Sequence, residues 1–421
     1  LNQKIEERIP NLPSGHENIP YLNGGLFEPT KEDFYEYEKT SGVSKFLNTL
    51  KIPNSWFIDF FEVLEQYNFT IDENSINDSE VSIDPEMLGT IFENLLAEID
   101  PDTEKSARKS TGSFYTPREI VDYMVEQSLV QYLKTKTEID DEEKLQTLFS
   151  DDEENLFTDK EANVILKAIS EVKILDPACG SGAFPMGALH KIVKLLQKLD
   201  KGAIWWKKKQ LEKARNLDSK YFNQFKEKLE NATSDYARKL GVIQHSIYGV
   251  DIQPIAAEIS KLRSFLSLII DENIDDNAEN RGIEPLPNLE FKFVTANTLI
   301  GLDEGVSKNT GSVSTGTLDF GETEDLQYDL QVLRNAYLQA NPKEKLKLRK
   351  DFENLQTKIY KQETKDGRMP SKRAMQLSSW KPFSHDSSSW FDPDWMFGIP
   401  KFDIVIGNPP YVQLREVKKE L

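Results

Sequence analysis

The stretch Ile174-Leu175-Asp176-Pro177-Ala178-Cys179-Gly180-Ser181-Gly182-Ala183-Phe184-Pro185 reads as a short apolar strand running into a glycine-bearing loop. A helix follows, and Pro185 suits its first turn. Leu189, Ile192, Val193 and Leu196 then recur at three- and four-residue spacing, the buried stripe of that helix. Glycines let a backbone approach a ligand closely, and ligands in open α/β sheets sit at the carboxyl ends of the strands. The loop lacks the third glycine of a dinucleotide fingerprint, and Asp176 stands ahead of the glycines. An acid there disfavours a pyrophosphate and favours a ligand with an ammonium or sulfonium group. A plain tight turn between strand and helix is the competing reading.

Three more strand-like runs follow the same grammar: Ile247 to Val250, Phe291 to Val294 and Phe402 to Ile406, with Val172 to Leu175 as the first. Short apolar strands alternating with helices predict an α/β fold, a parallel sheet covered on both faces. Asp140 to Glu154 reads as a solvated acidic loop. Two helical insertions interrupt the pattern, at about 200–245 (Lys-rich) and about 301–400. The second opens with the Gly/Ser/Thr-rich stretch Gly305 to Thr317. It continues with Leu326, Leu330, Leu333 and Tyr337, then Leu348, Phe352, Leu355 and Ile359, on either side of Asn341-Pro342. This predicts an antiparallel helical hairpin whose seams face each other, in preference to a nucleic-acid role for Lys343, Lys345, Lys347, Arg349 and Lys350. Residues 1–109 read as a separate, mainly helical region: Pro85 opens a helix carrying Met87, Ile91 and Leu95, and Pro101 to Lys105 is a solvated linker.

The 421 residues suffice for two or three domains. With 38% hydrophobic and 29% charged residues, collagen-like, largely disordered and membrane-spanning classes are excluded; the nearest apolar run, Phe265 to Ile270, is a third of a bilayer span. One cysteine, Cys179, rules out an internal disulfide or a multi-cysteine metal cage and predicts a cytoplasmic setting. The 52 basic against 71 acidic residues give a net charge of −19, which argues against a generic nucleic-acid binder. Leu1 is no natural initiator and Arg415 to Leu421 starts a charged helix that leads nowhere, so we expect a piece of a longer protein.

The remaining candidate residues lie at the ends of the predicted strands. Asp251 ends the second strand, where an acid accepts the two hydroxyls of a ribose; a helix N-cap is the alternative. Asn297 follows the third and can bond an adenine amino group, or simply make a turn. After the fourth comes Asn408-Pro409-Pro410-Tyr411. Two prolines freeze the backbone there. An exocyclic adenine amine is a poor nucleophile because its lone pair is delocalised into the ring. The Asn408 side-chain oxygen and the Pro409 carbonyl can accept its two hydrogens, and Tyr411 offers a face for a flipped-out base. Upstream, Thr116-Pro117-Arg118-Glu119 opens a helix bearing Val121, Val125, Leu129 and Tyr132. Thr116 and Glu119 fit a capping box, and the free amides of that helix start fit a carboxylate.

Together these stretches resemble the DNA adenine-N6 methyltransferases over about Thr111 to Gln413, in an order similar to the gamma class. Tyr21 to Phe27 and Pro85 to Glu98 resemble the connector of the large Type IIG restriction–modification fusions. The resemblance implies a Rossmann-like sheet, incomplete because only its first strands are present. It implies S-adenosylmethionine as methyl donor, no metal, and double-stranded DNA with a flipped-out adenine as partner, with DNA recognition and a nuclease expected outside the segment. Carried over, Thr116 would hold the methionyl carboxylate, and Asp176, Ala178 and the Gly180 to Gly182 loop the methionyl ammonium. Phe184 would line the cofactor site, Asp251 would take the ribose and Asn297 the cofactor adenine. Asn408, Pro409, Pro410 and Tyr411 would position the target base. On this reading 1–109 is the connector and 110–421 the amino-terminal part of the catalytic domain. A protein glutamine-N5 methyltransferase shares Asn-Pro-Pro-Tyr but is compact. A Type I modification subunit tends to have Phe at the Tyr411 position, and the alpha class has Asp at the Asn408 position. A non-catalytic interaction module remains the alternative from another class, and a dehydrogenase has the wrong glycine pattern.

Overall fold

The computed structural model describes residues 53–64, 68–69, 82–83, 116–150, 155–216, 219–272, 275, 277, 279–283, 287–303, 320–338, 340, 342–363, 372–384 and 386–409. The readings at Tyr21–Phe27, Pro85–Glu98, Pro101–Lys105 and Gly305–Thr317, and at Pro410 and Tyr411, lie outside the described residues. Before residue 100 the description holds helix α1 (Asn54–Leu64) and two short strands, β1 (Asn68–Phe69) and β2 (Ser82–Ile83), paired in parallel.

The main body begins with α2 (Arg118–Thr137), which buries Val121, Val125, Leu129, Val130, Tyr132 and Leu133 and ends at Glu138 in the left-handed region. The stretch from Asp140 read as a loop instead contains α3 (Glu142–Gln146): the Asp141 side chain caps it by accepting from Lys144 N, and Leu145, Leu148 and Phe149 are buried. Apolar residues interspersed among the acids supply a buried face that net charge conceals. Helix α4 (Asp159–Glu171) starts in a complete Thr158–Glu161 capping box. Strand β3 (Ile174–Asp176) then leads to α5 (Ala183–Leu199), which buries Leu189, Ile192, Val193 and Leu196 as its periodicity predicts. Gly187 of α5 meets α2 so closely that a Cβ there would lie 2.5 Å from Val121 Cγ1.

Helices α6 (Ile204–Lys213), α7 (Ser219–Asn231) and α8 (Ser234–His245) fill the first insertion. The last of them buries Tyr236, Leu240 and Ile243 in the same core as α5. Strand β4 (Ile247–Asp251), α9 (Pro254–Ile269) and β5 (Phe293–Thr295) follow, and β6 (Ile404–Val405) closes the described chain. All four strands are parallel, in the order β5-β4-β3-β6, with Ile174 opposite both Ile247 and Ile404. Strands β3, β5 and β6 are shorter than the apolar runs that predict them, while β4 runs one residue further, to Asp251. Val172 still donates into the end of α4, and Lys292 N turns back to Leu289 O.

Side chains alternate across this sheet, as the two-residue repeat of a strand requires. Ile174, Ile247, Phe293 and Ile404 join one core, with α2, α4, α5 and α8. Leu175, Tyr248, Val250 and Val294 join a second. That second core is built by the 301–400 insertion: the hairpin α10 (Phe320–Leu338) and α11 (Pro342–Glu363), then α12 (Lys372–Ser379) and α13 (Pro393–Phe397). The hairpin forms as predicted, but its seam does not close on itself alone. Leu333, Tyr337, Phe352 and Leu355 pack with Phe291, Trp380 and Phe383 against the sheet. Lys345 is buried there and Arg349 donates to the Tyr337 hydroxyl at 3.2 Å, so this basic run is partly structural. No described helix is long and apolar enough to cross a membrane.

Candidate active site

The loop after β3 is held from three directions. Cys179 N donates to Val250 O at 2.9 Å, tying the loop to β4, and Gly182 N donates to Cys179 O at 2.8 Å. Helix α9 supplies Ser260, whose Oγ donates to Gly180 O at 3.1 Å, and buried Arg263, whose Nη1 donates to Ser181 O at 2.9 Å. Thr298, just past β5, donates to Pro177 O at 3.2 Å. Gly180 and Gly182 adopt φ of 52° and 87°, which side chains rarely tolerate, and a Cβ on Gly182 would lie 2.8 Å from Ser260 Oγ. Burial pushes the Cys179 thiol well up, so it packs beneath the loop as a neutral group.

Asp176, 2% exposed, ends β3. Its Oδ1 accepts from Ala178 N at 3.1 Å, while its buried Oδ2 has no partner among the described residues. Burial raises its carboxyl to about 8, helped by the Asp251 charge and opposed by the Ala178 N–H. A buried, unmatched acceptor of this kind fits a cationic ligand group. Asp251 ends the adjacent strand: its Oδ2 accepts from Gly180 N at 2.9 Å and its Oδ1 from Gln253 N at 2.8 Å. The N-cap of α9 is Gln253, so the helix-cap reading of Asp251 does not hold; the acid instead joins the glycine loop to its own strand end.

The fourth strand brings the Asn-Pro segment to the same edge. Gly407 packs against Asp176 so tightly that a Cβ would lie 2.5 Å from its Oδ1. Beside it, half-buried Asn408 donates from Nδ2 to Thr116 Oγ1 at 3.2 Å, across 292 positions of sequence. Here one expectation fails. Pro117, not Thr116, is the N-cap of α2, with no side-chain cap bond, and the Thr116–Glu119 capping box does not form. The Thr116 hydroxyl lies one residue too early to cap the helix, and Asn408 occupies it instead. Pro409 is exposed. Asn297 adopts the turn reading within the chain: its Oδ1 accepts from Leu299 N at 3.0 Å and its backbone N donates to Ser388 O. Phe184 is buried in the first core. Among the described residues no cluster of His, Cys, Asp or Glu could hold a metal ion.

Sequence reasoning passed over Ser260, Arg263, Thr298 and Gly407. The signal for the first two was present, since Ser260, Arg263, Ser264 and Ser267 repeat at helical spacing along one side of the helix. It also passed over Ile252, Ile255 and Leu299 (91% exposed), large apolar side chains left open just beyond β4 and β5. Such groups at strand ends suit a flat heterocycle.

A parallel sheet with these groups gathered at its carboxyl edge is a methyltransferase-like α/β domain. Residues 245–421 match the model of the Eco57I restriction-modification methylase family. The chain is also 31% identical over 323 residues to a Methanocaldococcus jannaschii protein named as a type II restriction enzyme and methyltransferase. The aligned region covers 73% of this chain and 23% of that relative, so the chain spans less than a quarter of the relative's length.

Proposed function

We propose that this chain is part of a restriction–modification protein that methylates the N6 amino group of adenine in a specific double-stranded DNA site. The observation that carries the reading is the meeting of three separate sequence motifs at one strand edge: Gly407 against Asp176, and Asn408 against Thr116. S-adenosylmethionine, when bound, would supply a sulfonium-borne methyl group, which the adenine nitrogen lone pair takes as the carbon–sulfur bond breaks and its electrons pass to sulfur, one N6 proton then leaving to solvent. The residues fit that donor. Asp176 would offer its unmatched buried oxygen to the methionyl ammonium, and Gly180 and Gly182 put no side chain in the way at their positions. The Thr116 hydroxyl would donate to the carboxylate. Asp251, at the end of β4, would take the ribose hydroxyls, and the exposed Ile252 and Leu299 would flank the donor's adenine beside Asn297.

On the acceptor side, no described residue donates to Asn408 Oδ1, which leaves it to accept one N6 hydrogen. The Pro409 carbonyl accepts the other, pulling electron density back onto nitrogen before attack. Pro410 fixes the corner and Tyr411 stacks on the extruded base. No covalent intermediate is needed; orientation and charge placement lower the barrier. In this reading residues 1–109 are a connector and 110–421 the amino-terminal part of a gamma-class catalytic domain in a Type IIG fusion acting in the cytoplasm. The basic DNA-recognition surface, and any nuclease, lie elsewhere in the protein, which accommodates the net charge of −19.

The test is transfer of labelled methyl from S-adenosylmethionine to DNA by the full-length protein, with the product nucleoside identified. N6-methyladenine supports the reading, and label in protein glutamine instead would replace it. Asn408→Ala should abolish transfer while leaving affinity for the donor within a few-fold; normal turnover by this variant would remove Asn408 from the chemistry.

A further inference from the structure

Asn408 can do its work only in one of two nearly isosteric orientations. With Oδ1 toward the target amine it accepts a hydrogen and activates the nitrogen; turned over, it presents N–H to N–H and blocks. Backbone geometry cannot choose between them, because the two ends of the amide differ little in shape. A neighbour must choose, and among the described residues the neighbour in contact with that amide is Thr116.

We propose that Thr116 is a positioning residue for methyl transfer: its hydroxyl oxygen takes an Nδ2 hydrogen of Asn408 and so turns Oδ1 toward the target amine. This rests on the methyl-transfer reading above and extends it to a residue that touches neither the methyl group nor the target nitrogen. The geometry is specific. Thr116 is 9% exposed, its hydroxyl is released from capping because Pro117 begins the helix, and Asn408 Nδ2 lies 3.2 Å away. A hydroxyl has one hydrogen to give. Once that hydrogen is donated to the carboxylate of the bound donor, the Thr116 oxygen can only accept from Asn408. Filling the donor site therefore locks the acceptor-activating orientation, and an empty site leaves Asn408 free to turn over. Binding of the donor and readiness of the amine are coupled through one side chain.

The experiment compares Thr116→Val, which keeps shape and removes the hydroxyl, with Thr116→Ser, which keeps the hydroxyl. Single-turnover transfer to DNA at saturating S-adenosylmethionine should fall about 10- to 100-fold in Thr116→Val and return to within about threefold of wild type in Thr116→Ser. Melting temperature controls for folding. A second readout needs no turnover: the Asn408 side-chain amide NMR signal, identified by its loss in Asn408→Ala. It should shift on adding S-adenosylhomocysteine to wild type and to Thr116→Ser, and stay unmoved in Thr116→Val. Wild-type transfer by Thr116→Val, or an amide signal indifferent to the Thr116 hydroxyl, would overturn the proposal. A wild-type protein that methylates no DNA would instead overturn the functional reading, while the amide signal still decides the contact.

Discussion

Asp176 shows what a single buried charge can report. Its carboxyl is raised from 3.8 to about 8, chiefly by burial. The folded state therefore holds a proton that the unfolded state gives up above about pH 4, so the stability this carboxyl contributes to the ligand-free protein is lost as pH rises from about 4 to 8. A cationic ligand group reverses the preference, since only the carboxylate pairs with it. We expect affinity for S-adenosylmethionine to climb as pH rises toward about 8 and to fall above it, where the donor's own α-ammonium loses its charge. Calorimetry at pH 7 in buffers of different ionisation enthalpy should detect release of about one proton per donor bound. Asp176→Asn should bind the donor weakly, release no proton, and lose the part of the pH dependence of melting that this carboxyl contributes. Next to it, Gly407→Ala forces a methyl group to within 2.5 Å of the carboxyl, where something must shift. A loss of about 1–3 kcal/mol in chemical denaturation is expected, along with weaker donor binding.

Individual helices follow their local signals where those signals are complete. Thr158 and Glu161 satisfy each other reciprocally, so α4 starts where the sequence says it should. Thr158→Ala should cost about 1 kcal/mol, read from the urea midpoint, without altering donor affinity. Thr116 and Glu119 carry the same letters at the same spacing, yet α2 starts one residue later and the hydroxyl is taken by Asn408. The difference is a partner 292 positions away, and no local pattern contains it. The acidic stretch from Asp140 teaches the converse. Leu145, Leu148 and Phe149 form a buried face, but the charges around them make the stretch read as a solvated loop.

Across the whole fold, one parallel sheet carries two cores, and the second is roofed by a long insertion instead of by crossover helices. Tyr248 illustrates how tightly that roof is joined: its ring lies 5.1 Å from Phe397 and 5.4 Å from Phe402. Trp390, fully buried in this core, should cost about 3–5 kcal/mol when replaced by Ala. Because both cores share the sheet's strands, we expect fluorescence from the tryptophans of the insertion and far-UV circular dichroism to change in one coincident transition. Separate transitions would mean that the insertion is an independent module.

The sequence alone determined the parallel sheet, the helix after the glycine loop and the hairpin, because each rests on periodicity or on residues that permit few backbone conformations. It also marked Asp176, Asp251 and Asn408 as strand-end polar groups. Only the tertiary structure decided what those groups touch. Strand order put β6 beside β3 and so set Gly407 against Asp176; helix placement put Thr116 against Asn408, and Ser260 and Arg263 beneath the loop. Local signals are short-range energies written in neighbouring residues. A hydrogen bond between distant motifs depends instead on how whole elements pack, which no stretch of neighbouring residues encodes.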